Sequence, residues 1–176
     1  MPIILTYVCR ACVLHRPRRP RFFVHHDDVP RIDILIPCAG EGKATILNVV
    51  RAACESDYPK HLLRVLVLDD AASVRLRYAI YNMTKQYTFL SYAARPKLKR
   101  VNYKAGNLNY GLQVTSDIAR MAYQAPAPFI AVIDADMIVE PNWLRTMIPH
   151  LMQNEHLAMA CPPQVWIFTR QILHIS

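Results

Sequence analysis

The chain has 176 residues, enough for one domain that buries roughly 70% of its surface. Its 53% hydrophobic and 19% charged residues exclude a disordered chain, and no apolar stretch reaches the roughly 18 to 20 residues of a membrane-spanning helix. The net charge of +8 favours anionic partners. Without an aromatic and basic platform, however, it does not predict nucleic-acid binding.

The first 30 residues are predicted to form a basic, proline-containing tail. Five arginines lie between positions 10 and 21, and Pro17 and Pro20 among them disfavour a helix. A solvated tail is the simpler interpretation, although beside a membrane the same charges would favour anionic lipid on the cytoplasmic side.

The cysteine content indicates a reduced protein. The count of five is odd, and Cys38 and Cys54 fall at a predicted strand end and helix face, as expected for core thiols of a cytosolic protein. The Cys9-x-x-Cys12 spacing hints at zinc, but it has no second ligand pair and is a weak signal.

From residue 31 onward, predicted strands alternate with predicted helices. Short apolar runs predict strands over residues 32–36, 63–68, 88–92 and 129–133, the first stopped by Pro37. Helical spacing predicts helices over residues 43–54, from Ser73 to Met83, from Gly106 onward, and from Pro141 to His150. This alternation predicts an α/β fold with a mostly parallel sheet, whose ligands bind at the carboxyl ends of the strands.

Asp134 and Asp136 are the most informative pair of residues. Because side chains alternate along a strand, both carboxylates are expected on one face where the fourth strand ends. Such oxygens suit Mg²⁺ or Mn²⁺, completed by water and a substrate diphosphate. A D-x-D arises by chance in about half of chains this long, so the position after a buried strand gives the pair its weight.

Other polar residues fall at the neighbouring strand ends. Asp69 and Asp70 follow the second strand, where they either accept hydrogen bonds from a base or ribose, or cap the next helix. Both interpretations stay open. Lys104 is the economical partner for a diphosphate beside the metal.

The glycines at positions 40 and 42 do not complete a known phosphate loop. A P-loop needs a glycine where Pro37 stands and a hydroxyl where Ala44 stands, and a dinucleotide fingerprint needs a glycine at Thr45. An NTPase is therefore a third alternative only, and its hydrolysis would have to survive Asp134→Ala.

Taken in order, these motifs resemble those of processive family 2 glycosyltransferases. The strings are Pro37 with Glu41, Asp69-Asp70, Lys-Ala-Gly-Asn-Leu-Asn from Lys104, and Asp-Ala-Asp from Asp134. They cover about residues 32–164 and resemble the cytosolic domain of cellulose-synthase-like polysaccharide synthases. The resemblance implies the GT-A nucleotide-diphospho-sugar transferase fold, a Rossmann-like sheet flanked by helices, incomplete here at its C-terminal side.

The resemblance also implies a UDP-sugar donor, a glycan acceptor, and Mg²⁺ or Mn²⁺. Metal and diphosphate are expected at Asp134 and Asp136, and the phosphates also at Lys104. Uridine is expected at Asp69 and Asp70. The remaining donor contacts are expected from Glu41 and Pro37, which line the base pocket, and from Asn107 of the lysine-containing string.

Two motifs of that family are absent from the sequence: Thr-Glu-Asp, which supplies the base, and Gln-x-x-Arg-Trp, which grips the acceptor. The catalytic base is therefore unknown. Ala71 also replaces a glycine that is common after the paired aspartates. We expect a donor-binding domain over residues 31–165 and a divergent end over 166–176, with donor binding but little or no polymer synthesis.

Two further expectations follow from the resemblance. The full-length enzyme is expected to be membrane-associated, with this domain on the cytosolic face. The alternative to an enzyme is a non-catalytic nucleotide-sugar-binding fragment that lacks the base and acceptor motifs.

Overall fold

The computed structural model describes residues 21–96 and 103–161. Its strands are β1 (Ile32–Cys38), β2 (Leu63–Asp69), β3 (Leu90–Ala93) and β4 (Phe129–Val132). Its helices are α1 (Lys43–Cys54), α2 (Val74–Thr84), α3 (Tyr103–Met121) and α4 (Trp143–Gln153), with a short 3₁₀ helix at Lys60–Leu62. None of the helices in these described ranges has the length and apolarity to cross a bilayer.

The four strands form one parallel sheet in the order β3-β2-β1-β4. The two central strands pair over their full lengths, with Cys38 opposite Asp69, so β1 and β2 end level with each other. The α/β prediction is confirmed. Because all the strands run the same way, the loops that follow β1, β2 and β4 emerge at one edge of the sheet.

The central strands are apolar because helices cover both of their faces. Every residue of β1 and six of the seven residues of β2 are buried. On one face, isoleucines of β1 pack with residues of α1, α2 and α4. On the other face, Leu35, Leu66 and Leu68 pack against α3. The helix that begins at Tyr103 is thereby held over the middle of the sheet.

The prediction that Pro37 ends the first strand is wrong. It lies within β1, which continues to Cys38. The carbonyl of Leu35 accepts a hydrogen bond from the N–H of Ile133 (3.0 Å), so the backbone groups of alternate residues of β1 point toward β4. Pro37 lacks the N–H that the next bond on that side needs. The proline therefore limits pairing with β4 while β1 remains paired with β2.

Two helices also begin elsewhere than predicted. α4 begins at Trp143 rather than at Pro141, with Asn142 as its N-cap. The carbonyl of Pro141 instead accepts a hydrogen bond from the N–H of Asp57 (2.6 Å). α3 begins at Tyr103, before the predicted start at Gly106.

Part of the predicted N-terminal tail packs against α4. The buried guanidinium of Arg145 donates to the carboxylate of Asp27 (2.8 Å) and to the carbonyls of Val24 (3.2 Å) and His26 (2.9 Å). The domain boundary near residue 31 stays a prediction, and residues 1–20 and the predicted divergent end at 166–176 lie outside the described residues.

Candidate functional site

Three loops and one helix end meet at the carboxyl edge of the sheet. The N–H of Asp70 donates to the carbonyl of Cys38 (2.9 Å), which ties the loop after β2 to the end of β1. Asn107 of α3 donates to the carbonyl of Leu68, and Lys104 of α3 pairs with Asp134 after β4. The structure therefore brings residues after β2 and β4 together with the first turns of α3.

The Asp134 and Asp136 carboxylates lie in a turn rather than on a strand face. β4 ends at Val132, and the N–H of Met137 donates to the carbonyl of Asp134 (3.0 Å). Burial nevertheless alternates here: Ile133 and Ala135 are buried, whereas Asp134 is partly exposed and Asp136 is exposed. β4 ends one residue earlier than predicted, at Val132, and the alternation leaves both carboxylates open to solvent.

Lys104 supplies a positive charge beside these acids. Its Nζ forms an ion pair with Oδ1 of Asp134, and the two side chains are 57% and 42% exposed. Lys104 lies in the first turn of α3, which contains no acidic residue. Since the N-terminus of a helix carries partial positive charge, the lysine and the helix end together favour an anion at this place.

The position of α3 depends on its contacts with Leu68. The side-chain amide of Asn107 is buried and donates to the carbonyl of Leu68 (2.9 Å), and its Oδ1 has no partner among the described residues. One turn later, a Cβ on Gly111 would lie 2.5 Å from Cδ1 of Leu68. Glycine at 111 therefore lets the helix approach the sheet closely. The donor-binding role predicted for Asn107 stays a prediction.

Asp69 is committed to contacts within the protein. It is 1% exposed. Its Oδ1 accepts from the N–H of Ala71 (2.9 Å), and its Oδ2 accepts from the N–H of Ser73 (2.7 Å) and from the hydroxyl of Tyr92 (2.8 Å). Burial, and then the hydrogen bond to Asp69, raises the pKa of Tyr92 to about 12. Asp69 thus organises the loop before α2, and its predicted contact with uridine stays a prediction.

Asp70 pairs with Arg95, a residue that the sequence did not identify as part of the site. The guanidinium donates from Nε to Oδ1 (2.9 Å) and from Nη2 to Oδ2 (3.0 Å), and each side chain is 11% exposed. Arg95 follows β3 by two residues, but in the sequence it is one of several clustered basic residues. The structure therefore places a carboxylate and a guanidinium side by side near the ends of β2 and β3.

Glu41 shapes the loop after β1. Its Oε2 accepts a hydrogen bond from the N–H of Ala39 (2.7 Å), and Gly40 between them has a φ of 123°, a backbone conformation that favours glycine. Pro37 is buried within β1. The role of both residues in lining a base pocket stays a prediction.

The chemistry of these side chains suits a cation that is only partly held by protein. Within residues 21–96 and 103–161, no group of three or more His, Cys, Asp or Glu side chains is arranged to hold a metal ion. Asp134 and Asp136 offer two solvent-accessible carboxylates with hard oxygen atoms. Mg²⁺ in particular binds through one or two carboxylates, water and substrate phosphate rather than in an all-protein cage. The pair fits that open arrangement.

Comparison with known proteins identifies the family of this chain. Residues 33–171 match the family model of glycosyl transferase family 2. The chain belongs to that family. It is 28% identical over 151 residues to glucomannan 4-beta-mannosyltransferase 2 of Arabidopsis thaliana, covering 81% of this chain and 27% of that protein. It is 29% identical over 136 residues to the probable glucomannan 4-beta-mannosyltransferase 7 of Oryza sativa subsp. japonica, covering 75% and 22%.

Solved structures support the GT-A fold of this family 2 chain. The mannosyltransferase PcManGT from Pyrobaculum calidifontis, in complex with GDP-Man and Mn²⁺, superposes with a TM-score of 0.60 at 21% identity, covering 84% of this chain and 39% of that chain. S. aureus TarS 1-349 gives 0.54 at 16% identity, covering 71% and 33%. The chain spans about a quarter of the length of the curated relatives named above.

Proposed function

We propose that this chain is the donor-binding part of a glycosyltransferase that moves a sugar from a nucleoside diphosphate to a glycan acceptor with the help of a divalent cation. The observation that carries the proposal is the pairing of Lys104 with Asp134 at the carboxyl edge of a family 2 fold. In this proposal Lys104 binds phosphate and the neighbouring Asp134 binds the metal ion. A nucleotide-sugar diphosphate with its cation is a ligand that needs both.

The proposed ligand contacts follow from the charges of the side chains, and two uncharged residues position the helix that carries Lys104. Asp134 and Asp136 hold Mg²⁺ or Mn²⁺, which when bound neutralises charge on the departing nucleoside diphosphate. Lys104 and the first turn of α3 bind the phosphate oxygens. Asn107 and Gly111 keep that turn close to the sheet through their contacts with Leu68.

We propose GDP-mannose as the first candidate donor. The curated relatives are named mannosyltransferases, and one structural neighbour was solved with GDP-Man and Mn²⁺. The UDP-sugar implied by the cellulose-synthase-like resemblance is the second candidate.

The acceptor reaction is not assigned to residues of this chain. No described residue is proposed as the base that activates the acceptor hydroxyl. We therefore expect the 176-residue chain to bind donor without forming detectable polymer. The non-catalytic alternative predicts the same binding, and an assay for glycan product in the full-length protein separates the two.

Calorimetric titration tests the proposed donor. The ligands are GDP-mannose, UDP-glucose, UDP-GlcNAc and GDP, each with and without Mn²⁺. We expect GDP-mannose to bind tightest, to bind more weakly without Mn²⁺, and to lose at least about tenfold in affinity on Asp136→Ala. Asp117→Asn, which changes a carboxylate elsewhere on α3, is the matched control.

The outcomes of that titration are distinct. Tighter binding of the UDP-sugars would keep the glycosyltransferase proposal and move the donor to UDP. Nucleotide binding that ignores both Mn²⁺ and Asp136→Ala would contradict the proposal.

We also propose that the full-length enzyme is membrane-associated with this domain on the cytosolic face, as the resemblance to polysaccharide synthases implies. Fractionation of cells that express the full-length protein, followed by protease protection of sealed vesicles, tests both parts. Recovery in the soluble fraction would contradict the membrane assignment.

A further inference from the structure

The ion pair between Lys104 and Asp134 occupies a carboxylate that the proposed function gives to a cation. We infer that Lys104 and the divalent cation compete for Asp134, so that the cation binds weakly until the diphosphate of a nucleotide draws the lysine away. This inference rests on the proposed function, because it assumes that metal and diphosphate meet at this edge of the sheet. It adds a thermodynamic coupling between the two ligands.

In the protein without ligands, the ammonium group of Lys104 neutralises negative charge at Asp134. Asp134 and Asp136 are two residues apart in a turn, and Asp136 has no hydrogen bond or ion pair with the described residues. Two neighbouring carboxylates repel each other, and the ammonium group of Lys104 reduces that repulsion. The lysine therefore stands where a cation would stabilise the acids.

The ion pair between Lys104 and Asp134 opens at small cost. Both side chains are about half exposed, and exposed ion pairs contribute little free energy. The Asp70–Arg95 pair near the end of β2 differs, because it is bidentate and mostly buried. Of these two ion pairs, Lys104–Asp134 is the one that a ligand can replace at small cost.

When both ligands bind, Asp134 exchanges Lys104 for the cation, and Lys104 exchanges Asp134 for the diphosphate. A cation on Asp134 and an ammonium group in contact with the same carboxylate repel each other, so a cation that binds alone must expel Lys104 into water. A diphosphate gives the displaced ammonium group a partner with more negative charge than one carboxylate. Each ligand therefore favours the binding of the other, and linkage requires this coupling to be reciprocal.

This exchange moves a side chain and leaves the helix in place. The helix behind Lys104 is held by the Asn107 amide on the Leu68 carbonyl and by the close approach of Gly111 to the Leu68 side chain. The lysine side chain is long and flexible. A change of partner therefore needs only rotation of the Lys104 side chain, with α3 left in place.

Lys104→Gln tests the inference, because it removes the charge and keeps most of the side-chain length. Arg120→Gln is the matched control, since Arg120 forms an exposed pair with Asp117 at the other end of the same helix and its loss changes the net charge equally. The measurements are the affinity for Mn²⁺ alone, by electron paramagnetic resonance of free Mn²⁺, and the affinity for GDP with and without Mn²⁺, by calorimetry.

We expect Lys104→Gln to bind Mn²⁺ alone about two- to fivefold more tightly than the wild type, a change of the size that an exposed ion pair permits. The variant should bind GDP alone more weakly, and the factor by which Mn²⁺ improves GDP binding should fall. Arg120→Gln should match the wild type in all three measurements.

Two results would overturn the inference, and they are distinguishable. Equal or weaker Mn²⁺ binding by Lys104→Gln, with Mn²⁺ binding still lost on Asp134→Ala, would remove the competition and leave the proposed function standing. Absence of Mn²⁺ binding to the wild type, with and without GDP, would overturn the proposed function as well.

Discussion

Asp69 is the last residue of β2 and Asp134 lies just after β4, so both are at the carboxyl edge of the same parallel sheet, but their surroundings are opposite. Asp69 is buried and accepts hydrogen bonds from two backbone N–H groups and a tyrosine hydroxyl. Asp134 is partly exposed, and its ion-pair partner is the exposed Lys104. A carboxylate at a strand end can therefore either stabilise the following loop or stay accessible to a ligand. The hydrogen-bond and ion-pair partners of the carboxylate distinguish the two cases.

The largest expected effect is the loss of stability on Asp69→Ala. The substitution removes three hydrogen bonds, from the part-buried N–H groups of Ala71 and Ser73 and from the hydroxyl of Tyr92, and each hydrogen bond to a charged acceptor contributes about 1.5–3 kcal/mol. We expect the free energy of unfolding to fall by at least about 3 kcal/mol in urea denaturation. A loss below about 1 kcal/mol would show that Asp69 does not hold the loop.

The opposite behaviour is expected at the other strand end. Asp136→Ala should leave the free energy of unfolding within about 0.5 kcal/mol of the wild type, because the side chain is exposed. The same variant should lose at least about tenfold in Mn²⁺-dependent nucleotide affinity. If Asp136→Ala instead destabilised the fold as strongly as Asp69→Ala, the contrast between the two strand ends would disappear.

Gly111→Ala tests how closely α3 must pack on the sheet between the ends of β2 and β4. A Cβ would lie 2.5 Å from Cδ1 of Leu68, which is fully buried, and overpacking of this kind costs about 1–3 kcal/mol. Alanine recovers about 1 kcal/mol of helix propensity. We therefore expect a net loss of about 1 kcal/mol in thermal or urea unfolding.

Gly42→Ala is the control for that substitution. At position 42 a Cβ meets Thr45 Oγ1 at an ordinary 3.5 Å. Because Gly42 is the N-cap of α1, where alanine is less favourable than glycine, the loss should be limited to about 0.5 kcal/mol. Equal stability of the two glycine variants would indicate that Leu68 moves aside without cost.

Tyr92→Phe gives a small effect with a defined pH dependence. Loss of the hydrogen bond to Asp69 should cost about 1 kcal/mol at neutral pH. Because the pKa of Tyr92 is raised from 10.0 to about 12 in the folded protein, the unfolded chain loses this proton first. The stability contributed by Tyr92 is therefore complete below pH 10 and is lost as the pH rises to about 12.

The difference between wild type and Tyr92→Phe isolates this residue. Other groups that titrate at high pH, such as Cys38 and Cys54, whose pKa values burial raises to about 12, are common to both proteins. The gap in the free energy of unfolding should narrow between pH 10 and 12. A constant gap would mean that the Tyr92 hydroxyl titrates alike in both states.

The local sequence pattern predicted most of the strands and helices, because fully buried parallel strands appear in a sequence as short apolar runs. The helix over Lys43–Cys54 and the start of α2 after Ser73 agree with their predictions. Pro37 was misjudged because whether a strand tolerates proline depends on where its neighbour ends. The end of β4 also depends on its pairing with β1. The spacing of residues in the sequence does not reveal where that pairing stops.

The site was less predictable because its contacts join distant parts of the chain. Tyr92 lies 23 residues from Asp69, and Arg95 lies 25 residues from Asp70. The hydrogen bonds of Asp69 to nearby backbone N–H groups are local, but the N-cap of α2 is Ser73, so the prediction that Asp69 caps this helix is wrong. The nearness of Lys104 to Asp134, 30 residues away, was inferred only from the need to neutralise phosphate.

Paramagnetic broadening by Mn²⁺ in an amide spectrum of the chain, recorded with GDP, tests most directly whether the ligands meet at this edge. We expect the signals of Asp134, Met137 and Lys104 to broaden first, and those of His61 and Leu63, at the opposite end of the sheet, to persist. Broadening centred on residues 61–63, or spread evenly over the chain, would contradict this expectation.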